Sequence, residues 1–297
     1  MIEAVEELFR RQTIAWPQLA AGLQGLAAAQ TRRLRIGWSD VYLRLIPHRL
    51  ASSTARTDAE SVAKRPCFLC GENMPAEEEG APFGDSLIIY CNPLPIIDRH
   101  LTIAHRDHRP QRIEGQLENM LKLAAALPGY FIFYNGPECG ASAPDHLHFQ
   151  AGSRALFPIE PETGNLTYAT TANYSRNVLV FRDRDGRSIM NRLAEVLILL
   201  GNSTTFGIEP LINLALFSES GQWTAYLFPR GKHRPQVYYS GELTVSPAAL
   251  DMCGVFVTPR PRDFDAITVK DIESIYREVT LPDDQFRRVL DKLESRL

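Results

Sequence analysis

Two histidines and a glutamine alternate with apolar residues in the segment PDHLHFQAG at residues 144–152. In a β-strand, side chains two positions apart project from the same face, so His146, His148 and Gln150 would form one polar row. A neutral imidazole is a good nucleophile toward phosphorus, whereas an amide can donate a hydrogen bond to a phosphate oxygen but cannot act as an acid. The row therefore predicts either a phosphate-handling site or an exposed strand edge whose polar side chains face water.

A second group of candidate residues is the Cys67-x-x-Cys70 pair in RPCFLCGENMP. Such a pair can be half of a zinc site, a redox pair or two ordinary buried thiols. Redox pairs usually open a helix, whereas the Gly, Asn and Pro that follow Cys70 indicate a turn. We therefore favour zinc in tetrahedral Cys2His2 coordination over two structural thiols. The histidines that could complete the site are His100, His105, His108 and His146.

The residues that lead into the histidine row, NGPECGASAP at 135–144, are mostly small. A loop of this kind lets backbone N–H groups approach phosphate oxygens closely, and Ser142 adds a hydroxyl. A plain surface loop would use the same glycines and prolines. Because this loop runs directly into the polar row, we expect it to belong to the same site.

The segments around these motifs predict an α+β fold with a mainly antiparallel sheet. Residues 1–35 have the pattern of helices. Strands are indicated at 86–96 and 100–108, a helix at 113–127 and a further strand at 130–136, which leads through the loop into the histidine row.

The second half of the chain repeats part of this theme. Residues 212–236 indicate two strands with a Gly-containing connection, and KHRPQ at 232–236 echoes DHRPQ at 107–111. The spacing of the echo suits duplication of a domain-sized unit. CGVFVTP at 253–259 stands where a second H-x-H-x-Q would be expected, so the second copy would have lost its chemistry. Two helices are predicted to follow, the first beginning near Thr268.

The composition indicates a globular protein with a small ligand. The chain has 297 residues, 44% of them hydrophobic, and a formal net charge of −3. This charge argues against nucleic acid or an anionic membrane as a partner. No segment approaches the roughly 20 apolar residues of a membrane span, and MIEAVEELFRRQ at the N-terminus does not resemble a signal peptide. Five cysteines, scattered except for the Cys67–Cys70 pair, fit a reducing compartment, so we expect a cytoplasmic protein.

Several of these segments together resemble a known family. CFLCGEN, NPLPI with HLTIAHRDH, and NGPECGASAPDHLHFQ are similar to the galactose-1-phosphate uridylyltransferase branch of the histidine-triad superfamily. Within it, HRPQRI and HLHFQ followed by FPIE at 157–160 resemble the GDP-hexose phosphorylases, including GDP-L-galactose phosphorylase, and the diadenosine tetraphosphate phosphorylases share the H-x-H-x-Q row. The resemblance covers about residues 48–160. It implies an antiparallel half-barrel sheet flanked by helices, with a catalytic half at 1–165 and a duplicated, degenerate half at 166–297.

The resemblance also implies roles for single residues. His148 matches the histidine that takes up a nucleoside monophosphate covalently, Gln150 the glutamine that holds its phosphate, and Asn92 an asparagine near the ribose. Asp145 and Phe149 depart from the uridylyltransferase pattern P-H-P-H-G-Q, so uridylyl and galactose specificity does not follow. Phosphate contacts are implied for Asn135, Ser142 and the loop around Gly140, and structural zinc coordination for Cys67, Cys70, His108 and His146.

These residues predict a nucleotidyltransferase or phosphorylase. His148 would attack a nucleoside diphosphate sugar or a dinucleoside polyphosphate, and phosphate or a sugar phosphate would accept the nucleotidyl group in a second step. Two alternatives remain, a nucleoside-phosphate hydrolase on the same fold and a non-catalytic nucleotide-binding protein. A homodimer is compatible with this interpretation. His100, His105 and His233 are predicted to be structural or surface residues.

Overall fold

The computed structural model describes residues 1–37, 39–159, 168–201 and 209–295. Its strands form one nine-stranded sheet and one three-stranded sheet. In chain order the strands are β1 (Gln30–Ile36), β2 (Ser39–Leu45), β3 (Gly80–Phe83), β4 (Leu87–Cys91), β5 (Leu101–His105), β6 (Tyr130–Asn135), β7 (His148–Ser153), β8 (Tyr168–Ala169), β9 (Val178–Asp183), β10 (Ile212–Glu219), β11 (Gln222–Pro229) and β12 (Val255–Thr258).

Helices precede the first strand, connect the strands and follow the last one. None of the described helices is long and apolar enough to span a bilayer. In chain order the α-helices are α1 (Ile2–Ala15), α2 (Pro17–Ala27), α3 (Leu50–Ser53), α4 (Ala59–Ala63), α5 (Leu117–Ala126), α6 (Thr171–Tyr174), α7 (Gly186–Gly201), α8 (Gln236–Tyr239), α9 (Ala249–Met252), α10 (Pro261–Ala266), α11 (Val269–Val279) and α12 (Asp283–Glu294).

The nine-stranded sheet is built from two units with the same connectivity. Its order is β3-β4-β5-β7-β6-β10-β11-β9-β8, and all neighbouring strands are antiparallel. The path β4-β5-α5-β6-β7 in the first unit corresponds to β8-β9-α7-β10-β11 in the second, and the units meet where β6 pairs with β10. The predicted α+β fold, an antiparallel sheet flanked by helices with a duplicated unit, is confirmed. The predicted boundary between residues 165 and 166 lies outside the described residues.

The sequence echo does not mark equivalent places in the two units. DHRPQ follows β5, whereas KHRPQ follows β11, which corresponds to β7. CGVFVTP contains β12, which pairs in parallel with β2 in the small sheet, so it is not the counterpart of the histidine row. The true counterpart, β11, is joined to β10 by the two-residue turn Ser220–Gly221, with φ of 49° and 74°. This tight turn replaces the long loop at 136–147, so β10 and β11 are not joined by an equivalent loop.

The prediction that residues 1–35 are helical is wrong in its last part. Helix α2 ends at Ala27, and Gln30–Ile36 forms β1. All seven residues of β1 are paired with β2. The pairing overrides the helical preference of a segment whose arginines and leucine suit either structure.

Alternation along the central strands divides the core into two layers. Ile132 and Leu214 project from one face of the large sheet and pack with α1, α5, α7 and α12. Phe133 and Phe228 project from the other face and pack with the small sheet and with α9, α10 and α11. Phe149 belongs to the first layer, so its neighbours in β7 project toward the side of the small sheet.

Candidate active site and metal site

The strand that carries the H-x-H-x-Q motif lies near the centre of the large sheet. β7 begins at His148 and runs between β5 and β6, with His148 opposite Ala104 and Gln150 opposite Thr102 on β5. His148 and Gln150 therefore project from the same face. His146 precedes the strand, and its ring lies against Cys67 and Cys70 instead. The expected row of three side chains is thus a pair, and the third member belongs to a separate group.

A backbone carbonyl fixes the tautomer of His148. Its Nδ1 lies 2.8 Å from the carbonyl oxygen of His146. Because that oxygen can only accept, Nδ1 carries the proton and Nε2 keeps its lone pair. The residue is 3% exposed, and burial lowers the pKa of its ring to about 4. At neutral pH the imidazole is therefore neutral, with Nε2 available as a nucleophile.

Gln111 holds the backbone of β7 in place at His148. Its Oε1 accepts a hydrogen bond from the His148 N–H at 2.7 Å. Its Nε2 donates to the carbonyl oxygens of His148, at 3.0 Å, and Asn135, at 2.9 Å. This buried amide ties the end of β6 to the start of β7. Gln111 is absent from the predicted site, although its place in HRPQ directly after β5 is a signal that could have identified it.

His100 orients the amide of Gln150. Its Nδ1 accepts from the backbone N–H of Ile96 at 3.3 Å, so its Nε2 carries the proton and donates to Oε1 of Gln150 at 2.9 Å. The ring is fully buried and stacks on Phe133, and burial lowers its pKa to about 3. With the oxygen of Gln150 held by His100, its NH2 group faces away from His100 as a donor. His100 was predicted to be structural or a surface residue, but it contacts the candidate site.

The loop between β6 and β7 is shaped by Gly140. This residue has φ of 99°, a conformation that favours glycine, and a Cβ there would lie 2.6 Å from Cβ of Ala248. Within the loop, the N–H of Cys139 donates to the carbonyl of Gly136 at 2.9 Å. Ser142 is exposed. The loop therefore packs against a segment of the C-terminal half while its far end stays open to solvent.

Asn135 lies where β6 ends and this loop begins. It is 4% exposed. Its Oδ1 accepts from Nδ2 of Asn213 at 2.9 Å and from the backbone N–H of Ala249 at 2.8 Å. No described residue accepts from its Nδ2. The amide of Asn135 therefore has its oxygen occupied and its NH2 group available to a ligand.

Asn92 holds a turn next to the site. Its Oδ1 accepts from the backbone N–H of Leu94 at 2.9 Å, and its Nδ2 donates to Oγ1 of Thr102 at 2.9 Å. Thr102 is the residue of β5 opposite Gln150. Asn92 is thus linked to Gln150 only through Thr102. Both its Oδ1 and its Nδ2 already form hydrogen bonds within the protein.

Four candidate metal ligands come together, and one of them, His146, is close to His148 in the sequence. The donor atoms of Cys67, Cys70, His108 and His146 all lie within 4.8 Å of one another. Sγ of Cys67 is 3.3 Å from Nδ1 of His146, and Sγ of Cys70 is 3.3 Å from Nδ1 of His108 and 3.6 Å from Nδ1 of His146. Tetrahedral zinc with bonds of about 2.3 Å to sulfur and 2.0–2.1 Å to nitrogen would place sulfur and nitrogen about 3.5 Å apart. The arrangement fits a zinc ion.

The contacts around His146 support this fit. Its Nε2 lies 2.7 Å from the carbonyl oxygen of His105, so Nε2 carries the proton and Nδ1 presents a lone pair to the cysteines. His105 itself is turned away, with Nδ1 accepting from the N–H of Asp107 at 3.0 Å. Of the three downstream histidines considered, His108 is the one that lies with Cys70.

Asp145, one of the two residues that depart from the uridylyltransferase pattern, connects the cysteine turn to the loop at 136–147. Its Oδ1 accepts from Arg65 at 2.8 Å, and both side chains are largely covered. The guanidinium of Arg65 also lies 4.9 Å from the ring centroid of Phe68, a residue that lies between Cys67 and Cys70 in the sequence. The ion pair thus holds the cysteine turn against the segment that precedes His146.

Comparisons with known proteins agree with this architecture. A model of a domain of unknown function (DUF4922) matches residues 8–153, and a model of the GDPGP1-like C-terminal domain matches residues 154–295. No match to the sequence is found among curated proteins.

Among solved structures, yeast Ap4A phosphorylase Apa2 shares the fold. Its complex with Ap4A aligns with a TM-score of 0.64 and 14% identity, over 95% of this chain and 99% of the yeast chain. Its complex with AMP gives a TM-score of 0.60 and 14% identity, over 94% and 96% of the two chains. Residues 8–153 thus resemble the DUF4922 domain, residues 154–295 resemble the GDPGP1-like C-terminal domain, and the chain shares the fold of yeast Ap4A phosphorylase. The predicted resemblance to the GDP-hexose and diadenosine tetraphosphate phosphorylases is confirmed.

Proposed function

We propose that this protein is a nucleotidyltransferase of the phosphorylase type with His148 as its nucleophile. The observation that carries the proposal is the state of His148, a buried neutral imidazole whose Nδ1–H is held by a carbonyl and whose Nε2 has no hydrogen-bond partner among the described residues. The fold shared with Ap4A phosphorylase supports the same reaction class. The substrate would be a nucleoside diphosphate sugar or a dinucleoside polyphosphate.

In the first step, the Nε2 lone pair of His148 forms a bond to the α-phosphorus while the bond to the bridging oxygen breaks. A sugar phosphate or nucleotide leaves with the electron pair, and the imidazole becomes a cationic nucleotidyl-histidine. The hydrogen bond from Nδ1 to the His146 carbonyl stabilises that charge. In the second step, an oxygen of phosphate or of a sugar phosphate attacks the same phosphorus, and the electrons of the N–P bond return to Nε2.

The donors around His148 suit this exchange. The leaving group of the first step is a phosphate and that of the second step is the imidazole of His148, and neither needs a proton from a strong acid. The NH2 groups of Gln150 and Asn135 can donate to the oxygens of the transferred phosphate, where negative charge develops. The phosphate loop around Gly140, with Ser142 beyond it, would add backbone and hydroxyl donors.

We propose that Cys67, Cys70, His108 and His146 hold a structural zinc ion. Bound zinc would cross-link the cysteine turn to the segment before β7. All candidate site residues fall in the first half, so we also propose that residues 1–165 are the catalytic half and residues 166–297 a half without chemistry of its own.

The test is product analysis on a panel of Ap4A and of GDP-, ADP- and UDP-hexoses, each with and without inorganic phosphate. Phosphorolysis predicts a nucleoside diphosphate that forms only when phosphate is present. Release of a nucleoside monophosphate at the same rate without phosphate would identify a hydrolase instead. If the panel gives no product and no labelled sugar phosphate exchanges into its nucleotide sugar, the protein does not catalyse the proposed reaction.

A further inference from the structure

A chain of buried polar side chains runs from the C-terminal half into the phosphate loop. Arg230 follows β11, Asn213 lies on β10, and Asn135 ends β6. All three are buried. Asn213 and Asn135 are directly opposite each other in the β6–β10 pair, where the two units of the sheet meet. These three hydrogen-bonded side chains therefore cross the boundary between the half that carries the candidate site residues and the other half.

Every hydrogen-bond donor of the Arg230 side chain has an acceptor within the protein. Its Nε donates to the carbonyl of Val279 at 3.0 Å, and its two NH2 groups donate to Oδ1 of Asn213 and to three further carbonyls, so all five of its hydrogens are used. A guanidinium has donors and no acceptor. The carbonyls that accept from its NH2 groups belong to Pro247, Lys232 and His233.

The donor-only character of Arg230 determines how Asn213 is oriented. Because the guanidinium can only donate, the side-chain oxygen of Asn213 must face it. The NH2 group of Asn213 must then face the opposite way. There it donates to Oδ1 of Asn135 at 2.9 Å and to the carbonyl of Cys139, in the phosphate loop, at 2.8 Å.

Asn213 passes this orientation on to Asn135. The oxygen of Asn135 must face the Asn213 NH2 group and the Ala249 N–H, both of which donate to it. Its own NH2 group is then the end of the amide that faces the site. We propose that Asn213 and Arg230 are positioning residues, which keep Asn135 oriented as a hydrogen-bond donor to the transferred phosphate. The proposal rests on the proposed function and gives the C-terminal half a part in it.

The substitution Asn213→Asp tests the orientation with almost no change in volume. An aspartate at 213 still accepts from Arg230, so the fold should be kept, but the lost hydrogen bonds to Asn135 and to the Cys139 carbonyl should lower the thermal midpoint. The kcat is therefore taken per folded molecule. It cannot donate to Asn135, and its second oxygen repels the oxygen of that amide. The donor toward phosphate is lost or turned away, so kcat should fall by about 10²-fold, the usual effect of removing one such donor. KM should change far less, and formation of the His148 adduct should slow by the same factor as kcat.

Asn177→Asp is the matched control. Asn177 is also a buried asparagine, but its Nδ2 donates to the carbonyl of Leu281 at 2.8 Å and to Asp283 at 3.0 Å. This substitution should lower the thermal midpoint and leave kcat per folded molecule unchanged. Both variants are assayed with the panel nucleotide that the wild-type protein converts fastest.

The outcomes separate this proposal from the proposed function. If the wild-type protein converts a nucleotide and folded Asn213→Asp has the wild-type kcat, the positioning role is wrong and the proposed function stands. If both variants lose activity only in proportion to their folded fraction, Asn213 is structural and the positioning role is again wrong. If the wild-type protein converts no nucleotide and forms no adduct, the proposed function fails, and this proposal fails with it.

Discussion

Two histidines that are only two positions apart have different surroundings. The backbone carbonyl of His146 holds Nδ1 of His148, while the ring of His146 faces Cys67 and Cys70. One residue thus connects the candidate metal site to the candidate nucleophile. Loss of the metal ligand would disturb the nucleophile through the backbone, whereas loss of the nucleophile would leave the metal site intact.

His148→Gly should abolish the covalent adduct and turnover together. Glycine removes the imidazole without added bulk, at a backbone cost of about 1 kcal/mol in a strand. In the wild-type protein, incubation with nucleotide and no acceptor should give a nucleotidyl adduct at His148 that is labile in acid and stable in base, detected by intact and peptide mass spectrometry. The comparison variant His146→Gly should instead lose metal and stability. An adduct on His146, or isotope exchange by His148→Gly, would contradict the assignment.

Two substitutions of His100 together test whether this residue orients the amide of Gln150. In His100→Gln, the side-chain NH2 group can replace Nε2–H as the donor to Gln150, so kcat should stay near wild type. In His100→Asn, the shorter side chain keeps an acceptor for the N–H of Ile96 but has no donor toward Gln150. We expect kcat to fall at least about 10-fold, less than the 10²–10³-fold loss caused by removing a donor outright. Equal steady-state rates for the two variants would show that His100 does not orient the amide.

The burial of His100 also predicts a pH dependence of stability. Its pKa is lowered to about 3 in the folded protein, below the usual value near 6.5 in an unfolded chain. As the pH falls below about 6.5, the unfolded state binds this proton first, so stability is lost until the pH reaches about 3. The slope for one group is about 1.4 kcal/mol per pH unit. The difference in unfolding free energy between wild type and His100→Gln should show it, because carboxylates common to both proteins cancel. A difference that is constant from pH 4 to pH 6.5 would contradict the burial of His100.

At the residue scale, the sequence predicts side chains whose type and spacing are informative by themselves. His148, Gln150 and the Cys67–Cys70 pair belong to this class. Gln111 and Asn213 do not, because a single glutamine or asparagine has many structural uses and the contacts of these two depend on strand register. Their contribution becomes visible only when β6, β7 and β10 are placed side by side.

The cysteine turn is the element whose stability depends on the proposed metal. The N–H of Cys70 donates to the carbonyl of Cys67 at 3.2 Å, and Nδ2 of Asn73 donates to the same oxygen at 3.0 Å. The hydrophobic cluster around it is small and contains few residues besides the cysteines themselves. Without a metal, little apolar contact would hold this turn against β7.

Cys70→Ser should therefore lower both zinc content and thermal stability. A serine hydroxyl is a poor zinc ligand, and a four-ligand structural site contributes directly to the free energy of folding. We expect a loss of several kcal/mol, which corresponds to a shift of roughly 10 °C in the thermal midpoint. Elemental analysis should find about one zinc per wild-type chain and much less in the variant. Cys91→Ser, at a buried cysteine outside the cluster, is the control and should keep its zinc. A fully folded wild-type protein without zinc would refute the metal proposal and leave the role of His148 open.

At the scale of elements, alternation and composition predict most of the catalytic unit. The helix before β6 and the strands on either side follow from local patterns, since the helix has a hydrophobic period and the two strands are short, mostly buried apolar runs. Strand β1 does not follow from its sequence, because its regular structure comes from its partner β2. The parallel pairing of β12 with β2 joins segments about 200 residues apart in the chain, which no local pattern encodes.

Across the whole molecule, the described part of the second unit keeps the strand path of the first without a counterpart of the H-x-H-x-Q motif on β11. The Ser220–Gly221 turn leaves no space for a phosphate loop, and yet β10 supplies Asn213, and the segment after β11 supplies Arg230. The two units share one sheet, so the site is completed by residues of both. If the two units arose by duplication and the second then lost its site, the second unit would be retained because its residues contribute to the site of the first.

The catalytic unit should not fold without its partner. In a fragment of residues 1–159, β6 would lose the hydrogen bonds of its pairing with β10. Apolar side chains of β6 such as Phe133 would lose the neighbours that the second unit provides and would face water. β2 would likewise lose β12. Circular dichroism and thermal melting should show no cooperative transition for the fragment. Co-expression of residues 1–159 and 168–297 as separate chains should restore a folded complex, since the contacts between the units are present again. A cooperative transition of the isolated fragment, with the nucleotidyl adduct formed on His148, would show instead that the catalytic unit is independent of the second.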